Sequence, residues 1–204
     1  MSGVSARPTR PSHAQASRAL LRDSVLDAVG ELLADDAWAD VTMAEVATRA
    51  GVSRQTLYNA FGGREDLAQA YLMREAGRFL EAIEVAVVGN VDDPRRALTQ
   101  AAELFLSLAS THPMVRALST QEGEELVALA TIRGGDLLIG MTDRLCELIL
   151  SNWPEVDPDG ARLLAATLVR LAISHAVLPT GEPQRTAADI ARTLGPFIDE
   201  LLER

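Results

Sequence analysis

Apolar residues recur at helical spacing, three or four positions apart, along most of this chain. In the first such segment Leu21, Val25 and Leu32 fall on one stripe, with acidic residues elsewhere on the surface. β-Branched residues alternate with polar ones over no useful length, so strands are not expected. The pattern therefore predicts an all-α fold.

Breaks in this pattern divide the chain into about nine helices. Residues 1–14, with Pro8, Pro11 and no apolar period, are predicted to form a flexible arm. The clearest break, Gly89 to Pro94, separates an N-terminal module from a larger C-terminal body. Helices are predicted near 16–34, in two short segments and a longer one up to residue 88, and near 94–111, 113–120, 122–152, 158–178 and 186–204.

Local signals place several helix ends and bends. Asp157 can cap a helix that has Pro158 at its first position. Thr186, with Asp189 three residues later, resembles a capping box for the last helix. Gly134-Gly135 predicts a bend, and Gly195-Pro196 predicts a kink because proline supplies no backbone donor.

Composition removes several classes of protein. The chain has 204 residues, 48% apolar and 24% charged, as in globular proteins. All 19 basic residues are arginine, which excludes a lysine phosphate loop and Schiff-base catalysis. The single Cys146 forms no internal disulfide, which fits a cytoplasmic protein. No charge-free run is long enough to span a membrane and no secretory signal is found. No metal, cofactor or catalytic set is predicted.

Basic charge is concentrated in two segments of an otherwise acidic protein of net charge −10. Residues 1–22 contain Arg7, Arg10, Arg18 and Arg22 and no acid, and residues 46–64 contain three arginines and no acid. A local patch, more than the net charge, steers a polyanion to a surface.

The second basic segment overlaps a helix-turn-helix pattern. Thr42 and Glu45 form a capping box, and Gly51 can end the short helix in a left-handed conformation. Ser53 caps a second short helix, in which Leu57 and Phe61 point inward. Two short helices joined by a glycine turn form a helix-turn-helix.

The outward face of the second helix has the chemistry of base and phosphate recognition. Arginine can bind the guanine edge through two hydrogen bonds, as glutamine or asparagine can for adenine, and hydroxyls suit phosphates. Arg64 opens the next helix, where the dipole disfavours a cation, so an external anion is expected to hold it. The DNA-contacting residues are predicted to be Thr42, Ser53, Arg54, Gln55, Thr56, Tyr58, Asn59 and Arg64.

The run from Thr42 to Leu67 resembles the DNA-binding module of the TetR family of transcriptional regulators. The resemblance rests on the motifs Ala50-Gly51-Val52-Ser53, Thr56-Leu57-Tyr58, Phe61 and Arg64-Glu65-Asp66-Leu67. The match extends over about 45 residues, from the first helix to Leu67, and beyond it only the architecture is similar. The chain departs from the family at Ala37 and Gly62-Gly63, which bears on the local loops. It also has Ala60 where the family often has histidine or tyrosine, so a contact made from that position is lost or reduced to methyl packing.

The resemblance implies a homodimer that binds a palindromic, double-stranded DNA operator and is released by a small effector. The implied organisation is an arm over 1–14, a helix-turn-helix domain over 15–66 and an effector-binding and dimerisation domain over 67–204. We expect the function of a repressor. A dimeric helical ligand-binding or adaptor protein without DNA function remains an alternative, as does a helical enzyme acting on an apolar substrate.

The last two predicted helices of the C-terminal body fit the expectation of a homodimer. The segment 158–178 is apolar on nearly all sides and must be buried on more than one face. Together with the single stripe of 186–204 it predicts a four-helix bundle across a two-fold axis. The alternative is a core helix of a monomer.

Apolar residues between 79 and 145 predict a cavity for an aliphatic effector, since aromatic residues make up only 4% of the chain. Ordinary core packing is the alternative. His112 could also anchor a polar group. The candidate lining residues are Phe79, Ile83, Phe105, Leu108, Met114, Leu138, Met141 and His175.

Overall fold

A computed structural model describes residues 12–119 and 135–203 of the chain. Nine helices and no strand occur within these two ranges, which agrees with the predicted all-α class. The helices, numbered in chain order, are α1 (His13–Asp35), α2 (Met43–Arg49), α3 (Arg54–Phe61), α4 (Arg64–Val88), α5 (Pro94–Thr111), α6 (Pro113–Ser119), α7 (Gly135–Asn152), α8 (Pro158–Val177) and α9 (Pro183–Leu202).

The first helix begins three residues earlier than its apolar period indicated. Ser12 accepts a hydrogen bond from the Gln15 N–H, and the Gln15 side chain accepts one from the Ser12 N–H. This capping box starts the helix at His13, because it satisfies two backbone donors that would otherwise lack partners. Residues 13 and 14 therefore belong to α1 and Ser12 caps it, and residues 1–11 of the predicted arm lie outside the described residues.

The prediction for the start of the last helix was also wrong. Pro183 occupies its first turn and Glu182 precedes it, so Thr186 lies inside the helix and does not cap it. An N–H in the first turn would have no partner within the helix, so proline loses nothing by lacking one, and its fixed φ is already close to the helical value. The predicted cap at Asp157 is confirmed, because its carboxylate accepts a hydrogen bond from the Gly160 N–H at 2.8 Å.

A 25-residue helix, α4, connects the two halves of the molecule. Its first turns pack against α1 and α3, and its later turns pack against α5 and α7. One continuous apolar core extends from Val25 in α1 to Leu201 in α9. The bend predicted at Gly134-Gly135 involves a residue outside the described part, and helix α7 begins at Gly135.

Candidate nucleic-acid interface and apolar cavity

The first helix of the predicted motif is held by a reciprocal cap. The Thr42 N–H donates to the Glu45 carboxylate at 2.9 Å, and the Glu45 N–H donates to the Thr42 hydroxyl at 3.3 Å. The Thr42 hydroxyl also donates to that carboxylate at 2.7 Å, which lowers the pKa of Glu45. The cap is exposed, and it keeps the only acid of α2 fully ionised next to its own N-terminus.

Gly51 forms the turn between the two short helices. Its φ of 69° lies in the left-handed region, which glycine adopts without steric cost. The chain then reverses so that the Val52 N–H donates to the Ala47 carbonyl at 2.9 Å. The turn predicted at Ala50-Gly51-Val52 is thus present with the expected backbone conformation.

Helix α3 is anchored by two buried residues and exposes its remaining side. Leu57 is fully buried and Phe61 nearly so, as the sequence predicted. Four of the predicted DNA-contacting residues are exposed along the other side: Arg54, Gln55, Tyr58 and Asn59. The described residues of 46–64 include no acid, so this face is free of carboxylates.

Hydrogen bonds within α3 hold part of this face in a fixed arrangement. The Gln55 amide donates to the Asn59 amide oxygen at 2.9 Å, one turn away. Ser53 caps the helix by accepting from the Thr56 N–H at 3.0 Å, and the Ser53 and Thr56 hydroxyls are 2.8 Å apart. Ser53 and Thr56 therefore serve the helix start, whereas Arg54 and Tyr58 extend outward from it.

Arg64 has internal partners, which corrects the expectation that an external anion holds it. Its guanidinium donates to the carbonyls of Trp38 and Val41 and lies over the Trp38 ring, 4.5 Å from the ring centroid. These contacts join the start of α4 to the loop between α1 and α2. Arg64 thus positions the segment that leads into the Thr42 cap.

Arg22 was noted in the sequence only as part of a basic segment, yet it fixes α1 to α3. Its guanidinium donates to the Ala60 carbonyl at 2.6 Å and lies 4.3 Å from the centroid of the Phe61 ring. The bond satisfies a carbonyl in the last turn of α3, which has no partner within the helix. Its partners are 38 residues away, so no local sequence signal indicated this contact.

The two loops that depart from the family motif differ in backbone geometry. Gly62 ends α3 with a φ of 85°, and its N–H donates to the Tyr58 carbonyl at 2.8 Å. Ala37 lies in the loop before α2, where no non-glycine residue has positive φ among the described residues. Alanine therefore fits at position 37 without strain.

A cavity lies inside the C-terminal body, between α4, α5, α7, α8 and α9. Every side chain that lines it is apolar, including Leu80, Leu145 and Leu168. The Trp153 indole, also at its wall, donates its N–H to the Val91 carbonyl at 3.0 Å. The cavity has a volume of about 120 Å³ in which the centre of a water molecule can lie. Such a wall offers no charged partner to a ligand.

The structure brings three of the eight candidate effector residues to this cavity: Ile83, Phe105 and Met141. Phe79 instead packs edge-on against Phe105 and His112, and Met114 is buried outside the lining. Leu138 packs in a smaller core cluster, and Leu108 is 40% exposed. His175 lines a different cavity, between α5, α6 and the loop before α9.

Glu75, on α4, is a buried carboxylate that sequence reasoning missed. Its side chain is 4% exposed and accepts hydrogen bonds from Arg74 at 2.8 Å and Arg78 at 3.2 Å. The His112 Nδ1 accepts from the Met114 N–H, so the neutral ring carries its proton on Nε2, 3.2 Å from Glu75. Burial by itself raises the Glu75 pKa, but the bonds from His112 and Arg74 and the two guanidinium charges outweigh it and lower the pKa.

Two groups of contacts connect the body to α1. Arg74 and Arg78 both reach the Asp27 carboxylate of α1, at 2.8 and 3.2 Å. Arg116 of α6 donates to the Ala34 carbonyl in the last turn of α1 at 2.9 Å. The position of the N-terminal helices is thus tied to α4 and α6.

Helix α8 leaves an apolar face uncovered. Leu163 is 59% exposed, and Leu178, which follows the helix, is 71% exposed. By length and hydropathy α8 is the one helix within 12–119 and 135–203 that could cross a membrane, and 28% of its most apolar window is buried. The apolar face of α8 is therefore only partly covered within the single chain.

Comparison with known proteins links both halves to one family. Residues 25–71 match the family described as bacterial regulatory proteins, tetR family. Residues 93–196 match the bacterial tetracyclin repressor, C-terminal domain.

Individual proteins resemble the chain over nearly its whole length. The HTH-type transcriptional regulator AlkX of Mycobacterium tuberculosis is 36% identical over 191 residues, which are 93% of this chain and 90% of that protein. The crystal structure of the TetR family repressor AlkX from Dietzia sp. strain DQ12-45-1b, implicated in biodegradation of n-alkanes, has a TM-score of 0.80 and 32% identity. It covers 89% of this chain and 96% of that one. A TetR-family regulator from Pectobacterium atrosepticum has the same fold, with a TM-score of 0.65 at 20% identity, covering 97% of this chain and 99% of that one.

Proposed function

The chain belongs to the TetR family of transcriptional regulators, and from that premise we propose that it is a repressor that binds a palindromic operator as a homodimer. Its relatives are regulators and not enzymes. The observation that carries the proposal is the exposed, acid-free face of α3, with Arg54, Gln55, Tyr58 and Asn59 on one side of a helix anchored by Leu57.

The proposed contacts follow from the position of each side chain. Arg54 and the pair Gln55–Asn59 are suited to base edges in the major groove, since both types bind bases through two hydrogen bonds. Tyr58, which is 49% exposed, is suited to a phosphate. Thr42, Ser53 and Thr56 present capped helix ends to the backbone, and Arg64 acts by positioning the loop before α2.

Two-fold symmetry is proposed to arise from α8 and α9. Covering the exposed face of α8 with the same face of a second copy removes Leu163 from water and forms a four-helix bundle with α9. A membrane could also cover this face, but homology to DNA-binding regulators favours a second copy in the cytoplasm. A dimer presents two α3 helices for half-sites about 34–36 Å apart.

The domain organisation proposed for this function keeps the predicted boundaries. Residues 15–66 would bind DNA and residues 67–204 would bind the effector and the second subunit. The boundary falls within the first turn of α4, a continuous helix. A change in the body can therefore reach α3 through α4 without a flexible linker.

The proposed effector is a neutral, flexible aliphatic compound. The cavity wall is apolar throughout, and a buried charge would find no partner there. The AlkX repressor of Dietzia is implicated in n-alkane biodegradation, which is consistent with a hydrocarbon ligand. Binding would favour a subunit arrangement in which the α3 spacing no longer matches the operator, so effector and DNA weaken each other.

Selection of bound duplexes from random DNA with the purified full-length protein tests the proposal. We expect a palindromic consensus with two half-sites centred one helical turn apart. Recovery of no consensus, or of an asymmetric single site, would overturn the proposal. If no consensus is recovered, an adaptor that binds protein through α3 becomes the favoured function.

A further inference from the structure

A second cavity lies between the end of α5, α6 and the segment that joins α8 to α9. Its side chains differ from those of the apolar cavity because Arg116, His175 and Thr186 contribute to its wall. The space open to the centre of a water-sized sphere is about 270 Å³. Small-molecule sites combine apolar walls with a few such polar groups.

Among its described lining residues, this cavity has one permanently charged side chain, the guanidinium of Arg116. Arg116 and His175 line it, and the described residues at its wall include no aspartate or glutamate. Within residues 12–119 and 135–203, the Arg116 guanidinium has no carboxylate partner and donates through Nη2 to the Ala34 carbonyl. A guanidinium has five N–H donors in a planar fork that matches a carboxylate, so donors remain for a ligand.

Apolar residues form the rest of the wall. Leu106, Val115 and Pro179 contribute hydrocarbon surface next to the polar groups. A ligand that fits must therefore join an anionic head to a short apolar tail. A long neutral hydrocarbon fits the apolar cavity better, because it has nothing to offer Arg116.

We propose that this second cavity binds a small aliphatic carboxylate. The carboxylate pairs with the Arg116 guanidinium, and the His175 ring and the Thr186 hydroxyl supply further hydrogen bonds. The tail packs on Leu106 and Val115. The site adjoins the apolar cavity, with which it shares Leu106, and it accounts for the position of His175.

The site is coupled to the DNA-binding helices through Arg116. This residue links α6 to the last turn of α1, whose carbonyls lack partners within the helix. A carboxylate that pairs with the remaining donors draws the Arg116 guanidinium toward the cavity, and this movement loosens its bond to the Ala34 carbonyl and the contact between α6 and α1. By linkage, a ligand that releases this contact and an operator that requires it weaken each other's binding.

Calorimetric titration of the full-length protein with hexanoate tests the site directly. Hexanamide, which has the same shape and no charge, is the matched ligand control. We expect hexanoate to bind and hexanamide not to, and Arg116→Gln to weaken hexanoate binding at least tenfold. Arg96→Gln removes the same charge from an exposed position at the start of α5 and should leave binding unchanged.

A second variant separates loss of the site from loss of structure. Ser110 lines the cavity, and its side chain bonds only within α5 among the described residues, so Ser110→Phe should fill the space and leave the Arg116 contact intact. The variant should melt like the wild type and bind no hexanoate. Absence of hexanoate binding to the wild type, or equal binding by Arg116→Gln, would overturn the proposal.

The outcome is distinguishable from that of the proposed function. Operator binding without hexanoate, and its loss on adding a neutral alkane, test the repressor and the apolar cavity. Hexanoate binding and its dependence on Arg116 test the second cavity alone. We also expect hexanoate to lower operator affinity of the wild type and not of Arg116→Gln, and an equal response would contradict the coupling.

Discussion

Gly62 allows α3, the helix proposed to bind DNA, to end directly before α4. Its φ of 85° lets α3 end directly before α4 begins, with the Asp66 carboxylate folded back over the junction. A Cβ added at position 62 would lie 2.6 Å from the Asp66 Oδ2, closer than real Cβ contacts. The conformation therefore requires glycine, and a Cβ at this position would also displace the Asp66 carboxylate from its bond to the Gly63 N–H.

We expect Gly62→Ala to lower the free energy of unfolding by more than Gly51→Ala does. Both positions have positive φ, which costs a non-glycine residue about 1–2 kcal/mol. At Gly51 nothing lies within 4 Å of the added Cβ, so only the conformational cost applies. Urea denaturation of both variants measures the difference. Equal stability of Gly62→Ala and the wild type would contradict this account.

Glu75 gives a pH-dependent contribution to stability. Its pKa in the folded protein lies below the usual 4.5, so its contribution is present above that value and is lost as the pH falls through the folded pKa. Glu75→Gln leaves Arg74 and Arg78 without a buried counter-charge. At pH 7 the free energy of unfolding of the variant should be about 1–3 kcal/mol lower than that of the wild type, a cost typical of an uncompensated buried charged group.

The loss of unfolding free energy in Glu75→Gln should become smaller below about pH 4.5. At such pH values the unfolded wild type takes up a proton at Glu75, so the charged carboxylate stabilises the folded wild type less. Denaturation at a series of pH values measures it. Glu84→Gln, at an exposed position of α4, is the control and should show little effect at any pH. A Glu75→Gln deficit that stays constant down to pH 3 would contradict the assignment.

At the scale of the element, the local signals of the helix-turn-helix predicted its structure correctly, the cap predicted at Thr186 was wrong, and long-range contacts were missed. The Thr42–Glu45 box, the Gly51 turn and the Ser53 cap join residues within four positions, so their geometry follows from the sequence. Arg64 reaches carbonyls 23 and 26 residues away, which no local pattern specifies. Long-range contacts therefore corrected the role predicted for Arg64 from the helix dipole.

For apolar residues too, the sequence predicted burial but not which side chains line the cavity. Helical spacing identified Phe105, Met114 and Met141 as inward-facing, and all three are buried. Only Phe105 and Met141 reach the cavity wall, because the way α4, α5 and α7 cross decides which buried side chains border empty space. That crossing depends on the packing of the whole body.

Filling the cavity should separate effector response from DNA binding. Ala102, on α5, is half-buried at the cavity wall, and Ala102→Phe adds a ring toward that space. We expect the variant to keep operator affinity and to lose release by n-decane, followed by fluorescence anisotropy of labelled operator. Glu103→Gln, at the next position and outside the lining, should respond as the wild type does. Release of the Ala102→Phe variant at the wild-type decane concentration would contradict the assigned effector site.

For the whole molecule, the proposed arrangement of two α3 helices on DNA depends on an interface between two copies of the chain. Helix α8 exposes Leu163, and most of its apolar window is uncovered in the single chain. The sequence predicted this excess of apolar surface correctly from its composition. The periodicity of either helix does not specify how two copies would be placed in the proposed dimer.

Leu163→Asp should convert the protein to a monomer and abolish high-affinity operator binding. A carboxylate on the proposed interface would be buried without a partner, which is strongly unfavourable. Sedimentation equilibrium gives the mass, and Val85→Asp, at another exposed apolar position on α4, should remain a dimer. A Leu163→Asp dimer with normal operator binding would locate the interface elsewhere.

The central claim, that the exposed face of α3 reads DNA, is tested most directly by operator affinity as a function of salt. We expect wild-type affinity to fall steeply with salt concentration, since phosphate contacts release counterions. Arg54→Ala should weaken binding by about 1–3 kcal/mol and relax specificity at one base pair. Arg96→Ala, which removes the same charge far from α3, should bind as the wild type does. Equal affinity and specificity of Arg54→Ala and the wild type, or binding insensitive to salt, would contradict the account.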